Sequence, residues 1–262
     1  MTARRERLEL DGVVIASGFL SDGDVQALVR VVDVLARKSV PRSRQVLYTH
    51  EPAPPDRPHF DTLMHQWLNP HRFAGPESTR TVADSLRPRL AALLGAEPVL
   101  FQDLIMVKRA GHRRFPWHQD FPFWPVDRPL GVIVWTPLVR SDERSGGLSF
   151  ALGSHRMEPW SAIDLHTGLT QSGARDPASS LDAYEILRPH FTAGDAALFS
   201  PLMFHMSPPG RPGPARAAWS SVWLHPSVRW QHARAPRHPL CRIVSDGASV
   251  TDWARAGIGG AV

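Results

Sequence analysis

Apolar positions change their rhythm along this chain of 262 residues, and the change separates a helical front from a strand-rich remainder. Val13-Val14-Ile15 is a short apolar run that predicts a strand. Beyond it, Val25, Leu28, Val29, Val32 and Leu35 recur at helical spacing. Ser21 is placed to cap that helix, and Asp22 and Asp24 put carboxylates in its first turn, where the helix dipole favours them. Arg37-Lys38 suit its last turn, and its apolar stripe marks a packing helix. The Pro- and Arg-rich stretch 39–58 reads as loop. Helical patterns predict two further segments, 60–68 and 78–94, the second closed by Gly95 and disturbed at Pro88.

After Gly95 the texture differs. Short runs rich in Val, Ile, Leu, Phe and Trp at 101–107, 131–139, 147–152, 196–199 and 218–224 are separated by Pro, Gly and Asp, as strands are by turns. Helices first and many short strands afterwards indicate an α+β fold whose core is a β-sandwich or jelly roll. The expected organisation is one domain: 1–95 mainly helical support and loops, 96–226 the jelly-roll core, 227–262 a C-terminal extension. The polar, irregular stretch 158–182 is a surface excursion or lid.

Composition narrows the classes. An apolar content of 42% and a charged content of 21% are ordinary for a globular domain. No apolar run approaches the length of a membrane span, and the arginine-rich start does not read as a secretory signal. A lone cysteine, Cys241, excludes an internal disulfide framework and fits a reducing, cytoplasmic setting. The net charge of +5 comes from arginines spread along the chain, since Lys38 and Lys108 are the only lysines. That dispersion speaks against a phosphate-tracking stripe, so neither nucleic acid nor a membrane is expected as partner.

Two His-x-Asp triplets occur, His59-Phe60-Asp61 and His118-Gln119-Asp120, a pattern that chance alone can supply. Context separates them. In an extended strand, residues i and i+2 project from one face about 7 Å apart, so a strand end can aim an imidazole and a carboxylate at one ion while Gln119 points away. His118-Gln119-Asp120 sits between Phe115-Pro116-Trp117 and Phe121-Pro122-Phe123-Trp124, whereas His59 opens a predicted helical segment. A two-histidine, one-carboxylate metal site needs a third ligand from a distant strand. His205 is the candidate, and Arg216 follows eleven residues later at the start of another apolar strand.

With those motifs in view, the sequence resembles the phytanoyl-CoA dioxygenase (PhyH) family of Fe(II)- and 2-oxoglutarate-dependent oxygenases. The resemblance runs from Asp11-Gly12-Val13-Val14-Ile15 and Gly18-Phe19-Leu20 to the strand after Arg216. Its core is Trp117-His118-Gln119-Asp120, Trp135-Thr136-Pro137-Leu138, and Ser145-Gly146-Gly147-Leu148 leading to Gly153-Ser154-His155-Arg156. It implies a double-stranded β-helix, cupin-like, with His118, Asp120 and His205 holding Fe(II). It also implies Arg216 on the distal carboxylate of the cosubstrate 2-oxoglutarate, a planar group that a guanidinium grips in bidentate fashion. By position Gln102, Ser207, Lys108 and Trp135 become further cosubstrate contacts; the alternatives are a core role for Trp135 and plain strand positions for Gln102 and Lys108. Halogenases of this kind replace the iron carboxylate with Gly or Ala, so the presence of Asp120 points away from chlorination. Leu152 and Met206 depart from the family pattern, where Pro and a small residue are usual.

The expected activity is therefore O2-dependent oxidation, hydroxylation by default, of a small-molecule natural-product intermediate. No lysine cluster suggests an acyl-CoA phosphate site. Phe121 and Trp124 are the first choices for lining a substrate pocket, with core packing as the other reading. His155 reads as structural, and His112, His225, His232 and His238 as surface residues. No nucleophile elbow, P-loop or dinucleotide fingerprint is present. Two alternatives remain at this level: a cupin-like metal-dependent hydrolase or isomerase, and a catalytically silent metal-binding protein on the same fold.

Overall fold

The computed structural model describes residues 2–37, 45–48, 64–73, 75–110, 112, 114–160, 177–209, 213–236 and 238–255. Helix α1 (Thr2–Asp11), strand β1 (Val13–Ala16), helix α2 (Asp22–Arg37), strands β2 (Gln45–Tyr48) and β3 (Met64–Leu68), and helix α3 (Arg80–Leu94) come first. Strands β4 (Val99–Lys108), β5 (Phe115–His118), β6 (Gly131–Pro137), β7 (Ser149–Ala151), β8 (Ile186–Leu187), β9 (Ala196–Phe199), β10 (His205–Ser207) and β11 (Arg216–Leu224) follow, and α4 (Val250–Arg255) comes last. They form two antiparallel sheets, β1-β9-β6-β11-β4-β3-β2 and β5-β10-β7-β8. This is the expected jelly roll.

Strand alternation sorts the larger sheet. On β11, Trp219 and Trp223 pack outward with Leu28, Val31 and Leu35 of α2 and Leu86 and Leu90 of α3. Ala218 and Val222 point inward with Phe101, Phe150 and Phe199, between the sheets. Each Val, Leu or Phe among them, fully withdrawn from water, contributes about 1.5–3 kcal/mol. Helix α2 starts as its sequence indicates: the Asp24 backbone N–H donates to Ser21 Oγ at 3.1 Å, and Ser21 Oγ donates to Asp24 Oδ2 at 2.7 Å.

Four expectations need correction. Residues 64–68 form an edge-side strand, not a helix, because Met64–Leu68 register against Leu104–Lys108 of β4; 60–63, and with them His59 and Asp61, lie outside the described residues. The segment 39–58, read as loop, contributes β2, paired to β3, so 1–95 supplies three strands as well as helices. Helix α3 runs through Pro88 without ending, its face of Val82, Ala83, Leu86, Leu90 and Leu93 buried, and closes on Gly95 at φ 71°. The roughly 3 kcal/mol cost of an internal proline is smaller than the burial of that face. Helix α1 was not expected: its sequence is largely polar, and its stability is tertiary. Its last carbonyls are capped by the Gly-Ser-His-Arg turn, with His155 Nε2 donating to Glu9 O at 3.1 Å and Arg156 Nη2 to Leu10 O at 2.6 Å. Gly12, at φ 80°, lets the chain pass that histidine, which a Cβ would strike.

The C-terminal extension packs back on the core. Trp230, Leu240, Val250 and Trp253 join the inter-sheet cluster, and Trp253 Nε1 donates to Phe101 O at 2.7 Å. Among the described residues no helix is long and apolar enough to cross a membrane.

Candidate metal centre and adjoining cavity

His118 ends β5 and His205 begins β10, and the two are direct register partners across the smaller sheet. Their rings stand 4.2 Å apart between centroids. His118 Nδ1 lies 2.8 Å from Pro116 O, and His205 Nδ1 lies 3.0 Å from Met203 O. A carbonyl only accepts, so each Nδ1 donates and each Nε2 keeps its lone pair. Both Nε2 atoms face Asp120, with Oδ1 at 3.4 Å from His118 and 3.9 Å from His205. One donor atom from each residue lies within 4.8 Å of the others. Gln119 turns the other way, donating to Leu202 O at 2.9 Å and accepting from Trp160 N at 2.7 Å.

The local backbone differs from pure strand alternation. β5 stops at His118, and Asp120 has φ −80° and ψ −36°, entering a tight turn over Phe121–Phe123. That turn puts Phe123 where Phe121 was expected and keeps Trp124 at the cavity. Phe121 is 1% exposed and packs in the inter-sheet core with the Arg234 guanidinium 4.2 Å from its ring centre, while Phe123 and Trp124 line the cavity beside the metal cluster.

Electrostatics prepare the three groups for a cation. Burial, then the neighbouring His118, push the His205 imidazole down to about 4, so it is neutral at pH 7. Burial pushes the Asp120 carboxyl up, but His205 and His118 beside it more than offset this and hold it below the ordinary carboxylate value. Two imidazole nitrogens and one carboxylate are the donor set of a non-haem Fe(II) site, so the residues fit the metal.

A cavity of about 400 Å³ opens from this cluster. Alternation along β4 turns Gln102, Leu104, Met106 and Lys108 into it, and alternation along β11 turns Arg216, Ala218 and Ser220 into it. Lys108 and Arg216 are themselves register partners, both 2% exposed. The Lys108 ammonium donates to Ser207 Oγ. The Arg216 guanidinium lies 5.2 Å from the Trp135 ring centre, and its buried Nε and Nη1 have no hydrogen-bond partner among the described residues. Burial lowers Arg216 to about 10; burial, then Arg216, press Lys108 well below its usual value. No salt bridge among the described residues compensates these two cations. A bound dicarboxylate would supply the missing acceptors.

The structure thus gathers His118, Asp120, His205, Arg216, Lys108, Ser207, Gln102, Trp135 and Trp124 around one cavity, and leaves Phe121 out. Sequence reasoning missed Leu104 and Met106, which period-two counting from Gln102 and Lys108 could have found, and Phe123, which the turn hides. Two histidines read as surface residues are not: His112 is 2% exposed, and His238 lines the cavity.

The model of the family described as phytanoyl-CoA dioxygenase (PhyH) matches residues 8–218. Among curated proteins none matches the sequence. Three solved structures illustrate the similarity of fold. The non-haem alpha-ketoglutarate-dependent carbocyclase SnoK from nogalamycin biosynthesis has a TM-score of 0.74 at 17% identity, with 95% of this chain and 92% of that one covered. The epimerase SnoN, in complex with Fe3+, alpha-ketoglutarate and nogalamycin RO, has a TM-score of 0.71 at 18% identity, covering 95% and 94%. EctD from S. alaskensis has 0.73 at 21%, covering 92% and 82%. At such identities these likenesses carry the fold, and the family match, spanning most of the chain and enclosing the His118–Asp120–His205 cluster, carries the rest: the chain belongs to the phytanoyl-CoA dioxygenase (PhyH) family of iron- and 2-oxoglutarate-dependent oxygenases.

Proposed function

We propose that His118, Asp120 and His205 hold Fe(II), that Arg216 receives the distal carboxylate of 2-oxoglutarate, and that the substrate is a small-molecule natural-product intermediate. The observation that carries the cosubstrate assignment is the buried Arg216 guanidinium with two unpartnered nitrogens in the wall of the same cavity as the metal cluster. A metal-dependent hydrolase acting on a neutral substrate would leave that cation without an acceptor. Iron with 2-oxoglutarate and O2 supplies oxidative C–H chemistry, with succinate and CO2 as the cosubstrate products, and hydroxylation is its default outcome.

The chain's own residues do the rest. The Pro116 and Met203 carbonyls lock the two imidazoles as Nε2 acceptors and keep them from rotating. Arg216, flanked by Trp135, fixes one end of the cosubstrate, and Lys108, tethered to Ser207, adds a second donor there. Leu104, Met106, Phe123 and Trp124 exclude water and offer an apolar surface to substrate. The natural-product assignment is supported by the cavity's size and apolar walls, and by the part that the structurally similar SnoK has in nogalamycin biosynthesis.

The test is anaerobic difference spectroscopy with Fe(II) and 2-oxoglutarate, followed by screening of candidate intermediates against the resulting absorbance. A chelate band that needs both Fe(II) and 2-oxoglutarate and is lost in His118→Ala is the expected result. A band unaffected by that substitution would remove the proposed ligand set.

A further inference from the structure

The C-terminal extension brings one polar side chain into the cavity that neither the metal nor the cosubstrate requires. His238 caps a short turn at Pro239–Arg242, and its backbone is held from both sides: its N–H donates to Ala235 O at 2.9 Å, and its C=O accepts from Cys241 N at 3.0 Å. Leu240, 5% exposed, anchors the turn in the core cluster with Phe101 and Trp124. The ring is held as well. Nδ1 accepts from the Leu240 backbone N–H at 3.3 Å, so in the neutral imidazole the proton resides on Nε2. Burial lowers this imidazole to about 4, which keeps it neutral at pH 7. Nε2–H has no hydrogen-bond partner among the described residues, and the side chain borders the cavity.

The surrounding charges define what that donor meets. Among the described residues lining the cavity, the acid is Asp120 and the non-histidine cations are Lys108 and Arg216. All three belong to the iron and cosubstrate assignment above, on which this inference rests. What remains for the substrate is an uncharged set: Gln66, Leu68, Met106, Phe123, Trp124 and Met206 among it. A charged substrate group here would be desolvated without a counter-ion, which disfavours its binding. An oxygen that only accepts would find one pre-oriented donor.

We propose that His238 is a substrate-positioning residue that donates a hydrogen bond from Nε2 to an acceptor oxygen of an uncharged, largely apolar substrate. Specificity in this enzyme then comes in part from the C-terminal extension. A carbonyl or ether oxygen meets the donor, and a hydrocarbon of the same shape leaves it unpaired.

Two measurements test this. First, long-range nitrogen–proton NMR correlation of the full-length, zinc-loaded chain labelled with 15N-histidine reports the tautomer, with His238 assigned by loss of its signals in His238→Ala. The Nε2–H form is expected, and the Nδ1–H form overturns the donor role. Second, quenching of tryptophan fluorescence, Trp124 and Trp135 lining the cavity, reports binding of 1-tetralone, tetralin, 1-naphthoate and 1-naphthylmethylammonium to metal-free and Fe(II)/2-oxoglutarate-loaded protein. The expected result is that 1-tetralone binds more tightly than tetralin in both forms and more tightly than either charged probe in the loaded form, where 2-oxoglutarate occupies Arg216; its affinity falls about tenfold in His238→Ala and less in His238→Gln, with tetralin affinity the same in all three. Equal losses for tetralone and tetralin, no loss in either variant, no binding by tetralone, or preference of the loaded protein for a charged probe overturns it. Absence of the Fe(II)/2-oxoglutarate band in the wild type would count against the cofactor assignment instead, because the metal-free arm of the probe comparison does not depend on it.

Discussion

Two histidine–aspartate clusters are buried in this jelly roll, and they are finished in opposite ways. Around Asp103, wholly buried on β4, every neighbour donates: the Thr79 hydroxyl, Trp219 Nε1 at 2.9 Å, the His71 backbone N–H at 3.1 Å, and His71 Nδ1 at 2.5 Å. That carboxylate ties the turn before α3 to the outer face of the larger sheet, and its capacity is used up. Around Asp120 the neighbours are imidazole nitrogens whose protons have been sent elsewhere, and across the cavity Arg216 keeps two donors unpaired. A saturated cluster holds a fold. A cluster with lone pairs and cations left over is built for something that arrives later.

The difference can be broken at several points. The largest effect is expected at the open cluster. His118→Ala or Asp120→Ala should lower metal affinity beyond the ten- to hundredfold typical of outer-shell partners and abolish 2-oxoglutarate turnover, while the urea midpoint of the metal-free protein stays near that of the wild type. A midpoint that collapses would make Asp120 structural too. Asp103→Ala should do the reverse. Leaving the His71, Thr79 and Trp219 donors unpaired costs about 3–5 kcal/mol by the measure of a broken buried charge pair, read by urea unfolding. Unchanged stability would deny the contrast.

Arg216→Ala comes next, raising the 2-oxoglutarate concentration needed for half-maximal turnover about tenfold to a hundredfold, the worth of hydrogen bonds to a charged group. Arg216→Met should leave the cosubstrate-free protein as stable as the wild type or more so, since it removes a buried cation without a counter-ion; clear destabilisation would mean that the guanidinium is a structural element. The smallest effect concerns His238. Its folded value of about 4 lies below the ordinary 6.5, so between those pH values the unfolded chain binds a proton that the folded imidazole does not. Stability therefore falls as pH drops from 6.5 towards 4. His238→Gln should flatten part of that slope and leave the part owed to His205, also near 4. An identical slope would place His238 in water.

The two clusters were unequally legible in the sequence. His118 and Asp120 stand two apart in an aromatic setting, and Arg216 follows His205 at a fixed distance, so spacing exposed the open cluster. His71, Thr79 and Asp103 share no short spacing, and nothing in their order separates them from surface residues. Phe121 and Phe123 would share one face of a strand, but the turn that starts at Asp120 separates them, burying Phe121 in the core and leaving Phe123 at the cavity. Residues 64–68 resembled a helix because apolar positions in so short a run fit either period; the unpaired edge of β4 decided for a strand.

By itself the sequence determined strands β1, β4, β6, β7, β9 and β11, the capped α2, the family and the identity of the groups that chelate, because each follows from residue type at short range. Tertiary structure alone decided which nitrogen of each histidine faces the metal, that Lys108 and Arg216 share one buried wall, that α1 is a helix, and that His238 borders the cavity. Those properties depend on the two sheets closing over one another and on the C-terminal chain folding back across them, contacts between residues far apart in the chain that no local pattern encodes.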